Sequence, residues 1–307
     1  MKSYYDGRGV LRSSARGSGD AEGMKILLLS LGIVAAALLV LVVLRLLDAR
    51  ADRILARSLI ADTTATPPRF EPAMLDGLPD PAARFFRFVM EDGAPLHTVA
   101  RITMQGQLNL GLAEKATFQA MQARQTLAPP HGFVWQVRLG GLSKVTGTDA
   151  YRPDTSWSRF RLLDLIPVGR VSDNPDHLRS AFGRMVGEGL FWTPAAFLPA
   201  TRAGWDQIAW HPVDAQTAAV VVRHNGLEQR AEVTVDAGGW PLRVVFDRWS
   251  NANADRLYRL QPFGGDLGAF EVFDGFRLPT RVVGGNHYGT PLYHPFYKAE
   301  VTHITFR

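Results

Sequence analysis

The feature that most restricts this chain is an uncharged apolar run from Ile26 to Leu44, 19 residues interrupted only by Ser30 and Gly32. As a helix rising ~1.5 Å per residue it extends about 28 Å, close to the thickness of a bilayer's hydrocarbon core. A helix in a soluble core carries a polar stripe where it meets solvent, and this run has none. A cleaved signal peptide is the competing reading, because Ala49-Arg50-Ala51 has small-x-small spacing. Signal peptides, however, hold apolar runs of about 7–15 residues, and here Arg45 directly follows a longer one. Residues 24–44 are therefore expected to be a retained transmembrane signal anchor. Residues 1–23 read as a flexible tail, or as sequence upstream of a start at Met24.

Charge near the span gives only a slight orientation bias. Lys2, Arg8, Arg12, Arg16 and Lys25 precede it; Arg45, Arg50, Arg53 and Arg57 follow it. A start at Met24 would reverse that bias. The net charge of +5 comes mostly from this region: the first 66 residues hold nine basic and six acidic groups, leaving 25 against 23 in the other 241. A body of +2 with no Lys/Arg block, zinc-finger spacing or aromatic RNA-binding signature gives no case for nucleic acid. The chain has no cysteine. That removes disulfides, thiolate nucleophiles, Cys-ligated zinc, iron–sulfur clusters and a lipidated N-terminal cysteine, so the helix is the expected tether.

Residues 45–74 read as a juxtamembrane helix and linker, with Leu46, Leu47, Ile54, Leu55, Leu59 and Ile60 among charges and Pro67-Pro68 as a stiff spacer. Residues 75–307 are expected to form a single β-rich domain. Within it a short helix starts after Pro79, with Ala82, Phe85, Phe86 and Val89 at helical spacing. Alternation then marks strands: Ile102, Met104, Gly106, Leu108 and Leu110; Phe118, Ala120 and Gln122; Phe133, Trp135, Val137 and Leu139. Later strands are separated by Asn225-Gly226, Gly238-Gly239, Asp274-Gly275 and Gly284-Gly285, all read as hairpin turns. Such short returns leave room only for antiparallel neighbours. One helix interrupts the strands: Asn174-Pro175 caps it, Leu178, Phe182, Met185 and Val186 form its apolar face, and Trp192-Thr193-Pro194 ends it. Gly183 and Gly187, one turn apart, each cost about 1 kcal/mol of helix propensity, which predicts close packing there. The expected fold class is α+β, mainly β: an antiparallel meander or half-open β-barrel crossed by one or two short helices, after a single transmembrane helix.

No G-x-S-x-G elbow, H-E-x-x-H, P-loop or G-x-G-x-x-G motif occurs. Three polar groupings remain. Arg248, Trp249, Asn251 and Asn253, with Arg256, Arg259 and Gln261 beyond them, could bind a carboxylate, phosphate or sugar, or could simply satisfy loop backbone. His287, Tyr288, Tyr293, His294 and Tyr297 could hold a metal only with a third ligand such as Asp274; hydrogen-bonded aromatic packing is the plainer reading. Arg184 and Glu188 stand at i,i+4 on the helix, either as a surface pair or, if Glu188 lies in a cleft near Trp192, as a site for a general acid. No cofactor, metal or catalytic residue is assigned.

The order Leu78-Pro79, Arg84-Phe85, Phe118-Gln119-Ala120, Phe133-Val134-Trp135, Asp149-Ala150-Tyr151, Leu190-Phe191-Trp192-Thr193-Pro194, Phe197-Leu198-Pro199, Arg248-Trp249 and Gly275-Phe276-Arg277-Leu278-Pro279 resembles a bacterial family catalogued as a domain of unknown function behind one membrane span. The likeness covers about residues 75–307 and implies no activity. At fold level the pattern is similar to the half-open β-barrels of bacterial lipoprotein carriers, which hold acyl chains between sheet and helix. It implies a greasy cavity lined by Trp135, Phe133, Met104 and Phe246. The expected function is binding of a lipid or other apolar ligand at the bilayer surface, with Trp135, Trp192, Arg248, Trp249, Asn251, Asn253, Gln261, His287 and Tyr288 as candidate ligand contacts. The alternatives are a hydrolase built on Arg248, Asn251, Asn253, His287 and Glu188, or a non-catalytic envelope scaffold. The expected place is the bacterial inner membrane, single-pass, with the C-terminal domain outside the cytoplasm; the partners are membrane and an apolar small molecule, not nucleic acid.

Overall fold

The computed structural model describes residues 17–61, 66–111, 117–140 and 144–307; the expected tail over 1–23 lies mostly outside them. Two compact units are distinguished, Met1–Asp48 and Ala49–Arg307. Helix α1 runs Gly17–Ala61. Its apolar window is long and hydrophobic enough to cross a membrane, and none of that window is buried. Leu28, Leu31, Val34, Leu38 and Val42 all stand exposed.

The second unit is built on one antiparallel sheet of 13 strands. In chain order these are β1 (Ala100–Asn109), β2 (Phe118–Ala128), β3 (Gly132–Leu139), β4 (Val145–Arg152), β5 (Thr155–Leu162), β6 (Ile166–Ser172), β7 (Gln207–Pro212), β8 (Thr217–His224), β9 (Leu227–Val235), β10 (Pro241–Ser250), β11 (Arg259–Phe273), β12 (Phe276–Asn286) and β13 (His294–Phe306). Helix α2 (Asp80–Val89) precedes them, and α3 (Pro175–Trp192) joins β6 to β7. The strand order is β6 to β1, then β13 back to β7. Two meanders thus meet where the first strand pairs with the last, Ala100 opposite Phe306 and Leu108 opposite Tyr297. Helix α3 contacts β4 and β5 of one meander and β9 and β10 of the other, so the sheet curves around it as a half-barrel.

Local chemistry accounts for most of these elements. The Asn174 side chain accepts from the backbone N–H groups of Asp176 and His177 at 2.9 and 3.1 Å, capping α3. Asn225-Gly226 and Asp274-Gly275 turn tight hairpins with both residues at positive φ (50° and 77°; 50° and 85°), the backbone that matches the twist of the flanking strands. Phe85 and Phe86 of α2 pack on Trp210 of β7. Gly187 is packed as its spacing predicts: a Cβ there would lie 2.3 Å from the Phe246 ring, and one at Gly183 2.7 Å from Gln229 Oε1.

Two expectations are corrected. Gly284-Gly285 is not a turn but lies inside β12, paired with Gly265 and Gly264 of β11. Four facing glycines remove the side chains that otherwise mark a strand, so the sequence reads as a break. In β2 the inward face carries Met121, Ala123, Gln125 and Leu127, while Ala120 and Gln122 are exposed. Alternation over Phe118, Ala120 and Gln122 selects the opposite face, because a buried glutamine disguises the true one.

The C-terminal turns of α1 belong to the second unit. Val134 and Ala150 point away from the main core, since successive residues face opposite sides of a sheet. There they pack with Trp157 against Leu55 and Leu59. Among them lies a buried carboxylate, Asp52, 3% exposed. It accepts from Trp157 Nε1 at 2.9 Å and Thr148 Oγ1 at 3.0 Å, with Arg159 Nη1 at 3.6 Å. Residues 45–61, read as helical from the sequence, are the C-terminal part of α1, and from Ala49 they belong to the second unit; the linker residues 62–65 lie outside the described residues.

Candidate functional site

Between α3 and the sheet lies a hollow of about 230 Å³. One water needs ~10–15 Å³ by the same measure, so this is no packing defect. Most of its wall is apolar: Leu108, Trp135, Phe160, Phe191, Val244, Phe246, Phe263, Val282 and Phe296. Gly265 and Gly284 border it without side chains, and Gly264 contributes backbone there while a side chain at that position would meet the Tyr288 ring. Gly187 lets α3 approach Phe246 at one point of the rim.

Into this apolar wall the fold sets four charged groups, Asp149, Arg184, Glu188 and Arg248. Arg184 donates from Nη1 to Asp149 Oδ2 at 2.6 Å and from Nε to Glu188 Oε1 at 2.8 Å. Its guanidinium also lies 5.0 Å from the Phe133 ring centre and 4.9 Å from that of Trp135. Gln125 Nε2 completes the cluster by donating to Glu188 Oε2 at 2.6 Å. Burial works against the Arg184 charge, but Glu188 and Asp149 outweigh it and hold the guanidinium above the ordinary arginine value. Arg248 is held differently. Among the described residues only its Nε is engaged, by Ser180 Oγ at 3.2 Å and the Ser180 carbonyl at 3.4 Å, and it packs over the Phe263 ring at 5.1 Å. Burial, reinforced by the like charge of Arg184, pulls its pKa down to about 10. Arg248 thus keeps its charge at neutral pH.

Near this cluster His177 Nδ1 is 2.8 Å from Ser156 Oγ. Burial lowers the His177 pKa below 6.5; Asp149 opposes this, while Arg248 and Arg184 add to it. An unfolded chain regains the ordinary value and binds the extra proton. Stability is therefore expected to hold above pH 6.5 and to fall as pH drops through the depressed folded-state value. Burial lowers His224 and His294 as well, so His177→Gln should reduce, not abolish, the slope of the urea midpoint between pH 7.5 and 5. An unchanged slope would remove His177 from the account.

The candidate contacts read from the sequence fall into separate places. Trp135 and Arg248 border the hollow, as does Phe246, whereas Phe133 and Met104 are buried in the main core. Trp192 is sealed in the core, its Nε1 donating to the Pro279 carbonyl at 3.3 Å. Trp249 donates to Asp176 at 2.8 Å beneath the Arg179 guanidinium. Asn253 bonds the Leu257 backbone and Gln261, and Gln261 bonds the Ser250 carbonyl. Asn251 is exposed in the same loop, and His287 Nε2 lies 3.1 Å from the Ala252 carbonyl. Tyr288 donates to Asp266 at 2.5 Å and packs on Tyr293. The polar set considered for hydrolysis is thereby divided: Arg248 and Glu188 face the hollow, while Asn253 and His287 hold a surface loop together. Arg184 and Glu188 do form their i,i+4 pair, but as part of the half-buried cluster and not as a surface contact. Among the described residues no three His, Asp or Glu side chains gather at metal-binding distances. Asp149 and Gln125 are not among the candidate contacts that the sequence offers; the available signals are a glutamine interrupting the inward face of β2 and an aspartate inside an otherwise strand-like β4.

A family model described as "Family of unknown function (DUF6544)" matches residues 68–299. No curated protein matches the chain. Among solved structures, a LolA superfamily protein from Nitrosomonas europaea is 10% identical, with 74% of this chain and 92% of that one covered and a TM-score of 0.37. A domain described as an outer membrane lipoprotein-sorting protein from Vibrio parahaemolyticus is also 10% identical, covering 68% of this chain and 85% of that one at a TM-score of 0.34.

Proposed function

The chain belongs to the DUF6544 family of unknown function, and from that premise we propose that it binds a lipid or other apolar ligand in the hollow between α3 and the sheet. The observation that carries this reading is the wall itself. Aromatic and aliphatic side chains with bare glycine backbone surround a space that the protein's own side chains leave empty. Apolar surface left facing water costs about 25 cal/mol per Å², so such a wall is stabilised when an apolar ligand covers it. The charged cluster at one part of the wall gives the ligand's polar end a place to sit. In the same reading α1 is a retained signal anchor in the bacterial inner membrane, residues 75–307 work as one β-rich domain outside the cytoplasm, and the membrane supplies the ligand.

Native mass spectrometry of the full chain, purified in a mild nonionic detergent, tests the proposal. A lipid-mass adduct is expected on the wild-type protein. Val282→Phe with Val244→Phe, both filling the hollow from the sheet, should remove most of it. Protein free of any adduct, or an adduct that persists in the filled variant, would reject the hollow as the binding site.

A further inference from the structure

Resting on that reading of the hollow, we infer that its ligand is an acidic amphiphile, an apolar chain bearing one monoanionic group, and that Arg248 receives the acidic group. The two arginines in the wall differ in what they have left to offer. Arg184 spends Nε on Glu188 and Nη1 on Asp149. Arg248 spends only Nε, on Ser180. Among the described residues no hydrogen-bond acceptor meets either Arg248 Nη, and no carboxylate lies within ion-pair distance of it. Two free amino groups on a planar guanidinium form a fork that fits the paired oxygens of a carboxylate or a phosphodiester. An anion arriving there gains charge-assisted hydrogen bonds without breaking an existing ion pair.

A second donor in the same wall, Trp135 Nε1, is buried without an acceptor at full hydrogen-bond geometry and interacts with the Tyr297 hydroxyl beside it. Asp149 Oδ1 is likewise buried without a donor, but the negative charge of that carboxylate is met by Arg184 through Oδ2 at 2.6 Å. The formal charges of Asp149, Arg184, Glu188 and Arg248 sum to zero. The hollow as a whole therefore does not attract anions, and the preference resides in Arg248. A single negative charge is the most this balance accommodates at low cost, since each further charge would face the two carboxylates in a poorly solvated space. The depressed basicity of Arg248 agrees with a cation that has been desolvated without a direct counter-ion.

A proximity assay with the full chain captured in nonionic detergent tests this, using radiolabelled dodecanoate and unlabelled competitors. On the wild type, dodecanoate should compete at concentrations about tenfold or more below those needed for dodecanol, the factor expected of a charged hydrogen bond; dodecyltrimethylammonium should compete worst. Arg248→Met should abolish the preference, so that dodecanoate and dodecanol compete at the same concentration, while Arg248→Lys should keep part of it. Twelve-carbon lysophosphatidylglycerol carries the same charge on a lipid headgroup, and its rank against dodecanoate identifies which source of the acid the site prefers. Dodecanol binding as tightly as dodecanoate to the wild type, or a preference surviving in Arg248→Met, overturns the role of Arg248 and leaves the apolar-ligand reading standing. Failure of all of the chain-bearing compounds to bind rejects that reading as well. Acetate competing as well as dodecanoate would assign the site to a free anion and overturn the amphiphile.

Discussion

Replacing Arg184 by leucine is expected to destabilise the folded body by about 3–5 kcal/mol, the cost of removing one partner from a half-buried ion cluster. The variant leaves Asp149 and Glu188 side by side in a mostly apolar wall with their common counter-ion gone. It also removes the guanidinium from the Phe133 and Trp135 rings. Neutralising one carboxylate, by Asp149→Asn or Glu188→Gln, should cost less, because Arg184 keeps its other partner. The triple variant Arg184→Met, Asp149→Asn, Glu188→Gln should regain part of the loss, since the two carboxylates no longer lack their counter-ion, while Arg248 loses the attraction of both. Urea unfolding of the full chain in detergent, followed by tryptophan fluorescence, measures all four. A single variant as stable as the wild type, or a triple variant no better than Arg184→Leu, would mean that packing and not charge sets the effect.

The second large effect is expected at Asp52. Asp52→Ala withdraws the acceptor from Trp157 Nε1 and Thr148 Oγ1 and the opposite charge from Arg159, all on the outer face of β4 and β5. A loss of about 3 kcal/mol is expected from breaking a buried charged network. The damage should be local. Leu55 and Leu59 share a small cluster with Val99, Ala128, Val134, Ala150 and Trp157, separate from the main core, and this is expected not to hold the helical segment when a charge is missing beneath it. Limited proteolysis should therefore open new cleavage between residues 49 and 75 while the strands stay protected. Unchanged protection of that segment would show that Leu55 and Leu59 suffice. The carboxylate also gives the junction a defined register: a leucine pair can slide along a sheet, whereas a carboxylate bonded to Trp157 and Thr148 at about 3 Å cannot.

Much of the architecture was legible wherever its cause is local. Asn174-Pro175 marked the start of α3, and the helix begins at Pro175. Asn225-Gly226 and Asp274-Gly275 marked two hairpins because few residues other than glycine and asparagine adopt positive φ without strain. Gly183 and Gly187 announced a close contact, and the Phe246 ring and Gln229 amide supply it. Errors fell where side chains serve a distant element. The glycines of β11 and β12 read as turn because distant neighbours exclude their side chains: Gly264 lies against the Tyr288 ring and Gly285 against the His294 carbonyl, while Gly265 and Gly284 border the hollow. The inward face of β2 was misread because Gln125 is inward for the sake of Glu188, 63 residues later. Both misreadings mark the site, where local pattern and global role conflict.

By itself the sequence determined the apolar helix, its flanking charges, the antiparallel sense of the strands and the single crossing helix. Each follows from hydrophobic period, turn chemistry or capping acting over a few residues. Tertiary structure alone decided that β1 closes against β13, nearly two hundred residues apart, and that α3 lies inside the resulting curve. That closure brings Gln125, Asp149, Arg184, Glu188 and Arg248 to one wall and leaves Arg248 without a direct counter-ion among the described residues. No local rule encodes such a balance. The energy of a buried charge depends on every group that faces it in the hollow, and those groups come from three strands and a helix that only the fold assembles.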